Sequence, residues 1–254
     1  MKKFISLIFV IAGLVIFTGC KTAAPIAAAP EKNTYVFVHG AWGGGWDWRH
    51  EDDLLTADGN KVFRASLTGQ GERVHLASTN IDLDTHIQDV VNVILWENLH
   101  DVILVGHSYG GMVVTGVVDR VPDRIKRVVY VDAMLPENGE NVTVAMGARR
   151  IPLQVTDGFI LPNWVKASQP PPHDVPMPAK CFSQPIALTN SAKVPATYIL
   201  TVDAGKTPAQ DDFYKFYLRA QARGWPAWIM EGDHNVQRSH PQELKRLLEQ
   251  AAAH

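Results

Sequence analysis

The chain has 254 residues, 46% hydrophobic and 20% charged, with 24 Lys and Arg against 26 Asp and Glu and a formal net charge of −2. This composition excludes a disordered chain, and the lack of a basic excess argues against a nucleic-acid partner. Only two cysteines are present, Cys20 and Cys181, which excludes a disulfide-stapled small fold and a cysteine zinc cluster.

The chain opens Met1-Lys2-Lys3 and runs almost wholly apolar from Phe4 to Phe17. That run is too short to span a bilayer comfortably as a helix, and with its basic start it reads as an export signal over residues 1–19. Phe17-Thr18-Gly19-Cys20 resembles the lipobox of bacterial lipoproteins, which makes Cys20 the expected lipidated residue. The alternative is an ordinary signal peptide cut within Ala23–Pro30. Residues 20–33, rich in Ala and Pro, read as a tether. The expected location is therefore a membrane, held through the lipid alone, and Lys21 suits the periplasmic side of an outer membrane. Cys181, left without an intramolecular partner, is expected as a small buried apolar residue.

In chain order, Thr34–Val38 is a β-rich run, Trp46 to Asp58 reads as helical, and Lys61–Ser66 is a second strand. Leu83, Ile87, Val90, Val91, Ile94 and Leu95 recur at three- and four-residue steps, a helix face that Asp82 or Asp84 can cap. Asp101–Val105 is a continuous apolar run of the kind found in buried parallel strands. Gly110–Val121 reads as a buried helix, and Arg127–Val131, Ala196–Thr201 and Ala227–Met230 as strands. Asp212–Arg223 and Pro241–Ala252 read as helices, the latter with Pro241 at its first position and Ser239 or His240 before it as a cap. Alternating strands and helices predict an α/β fold with a mostly parallel sheet. Residues 134–193 break this rhythm with many prolines and are expected to form an inserted cap over one end of the sheet.

Gly106-His107-Ser108-Tyr109-Gly110 follows a strand and precedes a helix. G-x-S-x-G in that setting makes Ser108 a nucleophile on a sharp turn, with Gly106 and Gly110 relieving the crowding. Ester attack needs two N–H donors for the oxyanion; the candidates are Ala41, in the loop after the first strand, and Tyr109. Gly43–Gly45 reads equally well as part of that loop or as a surface turn. A serine needs a base, and His234, just after the strand ending at Met230, stands where one is required. His240 reads as a cap or surface residue, His107 as directed away from the serine, and His39 as shaping the loop. For the acid, Asp203 is preferred from its place after Ala196–Thr201, and Asp132, after Arg127–Val131, is the rival. Trp42 and Trp164 read either as an apolar substrate wall or as core.

Phe37-Val38-His39-Gly40-Ala41-Trp42, Leu83-Asp84-Thr85-His86, Val105-Gly106-His107-Ser108-Tyr109-Gly110-Gly111 and Gly232-Asp233-His234 together resemble the α/β-hydrolase superfamily, within it the branch of plant methyl esterases, hydroxynitrile lyases and bacterial pyrethroid-type carboxylesterases. The resemblance implies Ser108, Asp203 and His234 as a triad. It also implies Ala41 and Tyr109 as oxyanion donors, with no metal or organic cofactor. The lyases of that branch carry Lys after the catalytic His and Thr in the first oxyanion loop; here Asn235 and Gly40 stand there, which favours ester hydrolysis. The expected substrate is a small apolar carboxylic ester. A non-catalytic small-molecule receptor, or a lyase or acyl transferase on the same scaffold, is the alternative, and the sequence is silent on oligomeric state.

Overall fold

The computed structural model describes residues 32–147, 154–190 and 193–254; the expected export signal, Cys20 and nearly all of the expected tether lie outside them. The core element order begins β1 (Thr34–Val38), α1 (Arg49–Ala57), β2 (Lys61–Ala65), α2 (Leu83–Trp96), β3 (Val102–His107), α3 (Gly110–Arg120) and β4 (Ile125–Val131). Between β4 and the next core strand come α4 (Val142–Met146), β5 (Val155–Thr156), β6 (Phe159–Ile160), β7 (Met177–Pro178) and α5 (Lys180–Ser183). The chain closes with β8 (Ala196–Val202), α6 (Tyr214–Ala222), β9 (Ala227–Glu231), α7 (Val236–Ser239) and α8 (Pro241–Ala253).

Six strands form one sheet in the order β2-β1-β3-β4-β8-β9, every neighbouring pair parallel. Parallel strands covered on both faces read as unbroken apolar runs, and β3 and β8 are buried at every residue. Alternation along each strand then sorts side chains between two cores. Val36, Val38, Leu104, Val128 and Tyr130 pack with α2, α3 and Phe216 of α6. Tyr35, Phe37, Ile103, Val105 and Val129 pack with Leu55 of α1 and Leu244, Leu247 and Leu248 of α8.

Helix boundaries follow local chemistry. Asp82 caps α2 by accepting the Thr85 N–H at 2.9 Å, while Leu95 at its far end faces solvent rather than the core. Pro241 opens α8, but neither proposed cap serves: His240 occupies the N-cap without a side-chain bond to the helix, and Ser239 Oγ donates to Asp233 at 3.1 Å instead.

The chain leaves β1 for β2 on one side and crosses back to β3 on the other. Such a reversal opens a crevice at the carboxyl ends of the strands, where ligands bind in open α/β sheets. The segment between β4 and β8 is pinned above this crevice. Its β5-β6-β7 ribbon is antiparallel, and Trp42 Nε1–H, from the loop after β1, donates to the Ile160 carbonyl at 3.0 Å.

One contact fixes how closely α3 approaches the chain after β4. A Cβ on Gly111 would lie 1.9 Å from the Met134 carbonyl oxygen. Gly111→Ala is expected to force α3 away and cost about 2–3 kcal/mol, lowering the melting temperature by roughly 5–10 °C. Thermal denaturation followed by circular dichroism checks this; an unchanged midpoint would contradict packing this tight.

Candidate active site

The site starts from a strained turn. Ser108, between β3 and α3, has φ 53°, a region a non-glycine residue enters only when its surroundings impose it. The surroundings do so through missing side chains. A Cβ on Gly106 would sit 2.8 Å from Val114 Cγ2, and one on Gly110 2.7 Å from the Val38 carbonyl oxygen. The Ser108 carbonyl accepts the Gly111 and Met134 N–H groups at 3.1 and 2.9 Å. The serine side chain is thereby lifted clear of the sheet at the N-terminus of α3, whose dipole favours negative charge there.

His234 reaches this serine from the loop after β9. Ser108 Oγ–H donates to His234 Nε2 at 3.0 Å, and His234 Nδ1–H donates to Asp132 Oδ2 at 2.6 Å. The carboxylate that meets His234 is therefore that of Asp132 and not of Asp203, which corrects the expected partner. The reason lies in strand order. β4 is the immediate neighbour of β3, and Asp132 turns inward at its end with φ 43°. There its carboxylate is 1% exposed and accepts the Thr201 N–H at 3.2 Å. Asp203 stands one strand further out, just past β8. Its carbonyl closes a turn with Lys206 N–H, and its carboxylate, 45% exposed, pairs with Lys206 Nζ at 2.6 Å while lining the same cavity.

Burial alone would push the His234 imidazolium down. The hydrogen bond that Asp132 accepts and its charge, with Asp211 and Asp233 adding to it, outweigh that and raise it above the ordinary histidine value of 6.5. His107 makes no hydrogen bond to the serine among the described residues; its Nε2–H donates to the His234 carbonyl at 2.7 Å, holding the backbone of His234. Burial keeps His107 neutral, well below the usual range.

Two more neutral histidines hold the chain around the expected oxyanion donors. His39 Nδ1–H donates to the Gly40 carbonyl at 2.7 Å, and its Nε2 accepts the Leu67 N–H at 3.1 Å. With the Gly40 carbonyl turned to His39, the trans peptide places the Ala41 N–H on the opposite side. Ala41 and Tyr109 both border the cavity, and neither backbone N–H makes a hydrogen bond among the described residues. The Tyr109 side chain is anchored below, its O–H donating to His86 Nδ1 at 3.0 Å while His86 Nε2–H donates to the Thr68 carbonyl at 3.0 Å. Burial lowers His39 and His86 to about 4, so these single-tautomer networks hold at neutral pH. Gly43–Gly45 are buried rather than a surface turn, because a Cβ on Gly44 would meet Gly71 Cα at 2.7 Å.

A cavity of about 940 Å³ opens over Ser108. Trp42 and Trp164 both line it, meeting edge to face at 5.1 Å. Sequence reasoning missed Met134, Val142, Met146, Phe182 and Phe213 on its walls. Four of these lie in stretches without helical or strand periodicity, so nothing marked them as facing a common space. Arg238 pairs with the buried Asp47 and lies 4.4 Å from the Trp46 ring centre, closing the cavity on the α7 side. Among the described residues no group of three His, Cys, Asp or Glu is placed to hold a metal ion. No helix among them is long and apolar enough to cross a membrane.

The sheet order, the strained serine turn and the returning histidine define an α/β hydrolase. Residues 35–247 match the alpha/beta hydrolase family, and the chain belongs to it. A carbendazim hydrolyzing esterase of Nocardioides sp. (strain SG-4G) is 48% identical over 126 residues, 50% of this chain and 52% of that protein. A pheophorbidase of Raphanus sativus is 36% identical over 106 residues, 41% and 40% of the two chains. The chain thus spans about half the length, or less, of these relatives. The crystal structure of the Arabidopsis methylesterase MES16 superposes with a TM-score of 0.66 at 28% identity, covering 87% of this chain and 99% of that one. An extracellular α/β-hydrolase from a Paenibacillus species shares the fold, with a TM-score of 0.68 at 24% identity over 86% and 98% of the chains.

Removing the Asp132 charge is expected to lower the pKa of His234, since that carboxylate is what raises it. An NMR titration of imidazole-labelled protein should show His234 displaced to lower pH in Asp132→Asn and unmoved in Asp203→Asn. A shift in Asp203→Asn instead would reverse the assignment.

Proposed function

We propose that this protein is an esterase, a serine hydrolase that cleaves carboxylic esters through an acyl-enzyme on Ser108. The observation that carries the reading is the hydrogen-bonded line Ser108–His234–Asp132 in a large cavity walled in part by apolar side chains. His234 Nε2 takes the serine proton as Oγ attacks the ester carbonyl, and Asp132 stabilises the imidazolium that forms. The Ala41 and Tyr109 N–H groups hold the oxyanion. Protonated His234 then returns its proton to the leaving alcohol, and a water molecule repeats the sequence on the acyl-enzyme. The relatives named as esterases and as a methylesterase support this class of chemistry.

The walls built by Trp42, Met134, Val142, Met146 and Phe182 suit a small ester with an apolar portion. The test is hydrolysis of p-nitrophenyl esters of increasing acyl length, with a fluorophosphonate probe located by mass spectrometry. Ser108→Ala is expected to lose the label and to reduce kcat by about 10⁴-fold or more. Because only neutral His234 can accept the proton, kcat/KM should be full at alkaline pH. It should fall as pH drops through the raised histidine value, with a midpoint above 6.5. A folded protein with neither turnover nor label would overturn the reading and leave a small-molecule receptor.

We also propose that the chain is exported and anchored through a lipid on Cys20. The basic, apolar and Phe17-Thr18-Gly19-Cys20 segments support this. Metabolic labelling with radioactive palmitate should mark the wild type and not Cys20→Ser; equal labelling of both would refute it.

A further inference from the structure

The loop after β8 does not supply the acid, yet it returns to the site. Beyond the Asp203–Lys206 turn, Asp211 N–H donates to the Pro208 carbonyl at 3.0 Å, and Asp211 Oδ1 accepts the Phe213 N–H at 2.7 Å. That bond fixes the backbone of Phe213 just before α6. The Phe213 side chain is buried against Phe216 of α6, ring centres 5.9 Å apart. Its ring lies 4.8 Å from the His234 ring at an interplanar angle of 20°, a stacked pair. His234 also contacts the His107 ring at 4.6 Å, so aromatic neighbours from two separate elements bear on the imidazole.

We propose that Phe213 is a positioning residue for His234: its stacked ring holds the imidazole in line between Ser108 and Asp132 and favours its charged form, while Asp211 pins the ring's backbone. A phenyl face carries negative potential and attracts a cation lying over it within about 6 Å, an effect of the order of a few-fold to tenfold in an equilibrium. Neutral His234 gains stacking alone; the imidazolium formed during ester attack gains this attraction as well. The consequence for turnover rests on the esterase reading, whereas the contact and its effect on the imidazole do not.

The charged and titratable groups facing His234 are Asp132 from β4, Asp211 from the loop after β8, Asp233 beside it and neutral His107 from β3. Burial and the neighbouring Asp132 lift Asp211 to about 6, so its charge also changes during a histidine titration and needs its own control. Asp211→Asn supplies one, because an amide oxygen can still accept the Phe213 N–H while the charge is gone.

The experiment is an NMR titration of the full chain labelled at histidine, run beside ester kinetics, on the wild type, Phe213→Leu, Phe213→Met and Phe213→Tyr, each also made with Asp211→Asn as the charge control. In the wild type the His234 Cε1 proton should appear upfield, from the ring current of Phe213. Phe213→Leu and Phe213→Met should lose that displacement and titrate about half to one pH unit lower. They should reduce kcat about five- to tenfold with KM changed less than twofold. Phe213→Tyr should restore the titration and kcat. If the leucine and methionine variants fail to fold, a wild-type proton without upfield displacement still overturns the proposal. Folded variants with an unmoved titration, or with KM alone raised, overturn it too, leaving Phe213 as pocket wall. Absence of ester turnover in the wild type together with the expected titration shifts would refute the esterase reading and leave the positioning role standing.

Discussion

Everything at this site depends on one backbone constraint, the turn that carries Ser108 out of β3 into α3. A serine at φ 53° costs of the order of 1–3 kcal/mol, and it persists because nothing nearby has room to relax it. Gly106, Gly110 and Gly111 let Val114, the Val38 carbonyl and the Met134 carbonyl approach to distances that a Cβ would forbid. The same closeness ties α3 to β1 and to the chain leaving β4. The serine, the oxyanion loop after β1 and the acid after β4 are therefore held in one rigid cluster.

The acid's position follows from that cluster. Asp132 directly follows β4, the strand beside the nucleophile strand, and needs no long loop to reach His234. Its backbone N–H donates to the Ile199 carbonyl at 2.7 Å, and its side chain accepts from Thr201, so β8 braces it. The loop after β8 is thus free of the acid's role and brings Phe213 against the imidazole instead. Two neighbouring strands share the task of holding one histidine, the first through a carboxylate and the second through a ring.

Three other histidines, His39, His86 and His107, are buried and neutral. Each uses one ring nitrogen as a donor to a backbone carbonyl. A histidine is suited to this because its two nitrogens are a donor and an acceptor at fixed separation on a flat, largely apolar ring. His39 sets the peptide before Ala41, His86 anchors Tyr109, and His107 holds the backbone of His234. Burial keeps them uncharged across the range in which His234 changes state, so the frame stays still while the base titrates.

The local pattern was enough to read the strand run Thr34–Val38, the apolar β3, the spacing of α2, the G-x-S-x-G turn and a histidine beyond the last strand, because each is a property of neighbouring residues. Ser108 and His234 were legible for that reason, and so was the α/β class. The choice between Asp132 and Asp203 was not legible, since both follow a strand and both precede His234. Only the order of strands in the sheet places Asp132 beside the nucleophile and leaves Asp203 one strand away, paired with Lys206. The cavity walls were equally hidden: Met134, Val142 and Phe182 carry no periodicity and meet only where the segment between β4 and β8 folds back over the serine. Chain order determined which chemistry is available, and the three-dimensional packing of a parallel sheet, which sets non-neighbours side by side, decided which groups perform it.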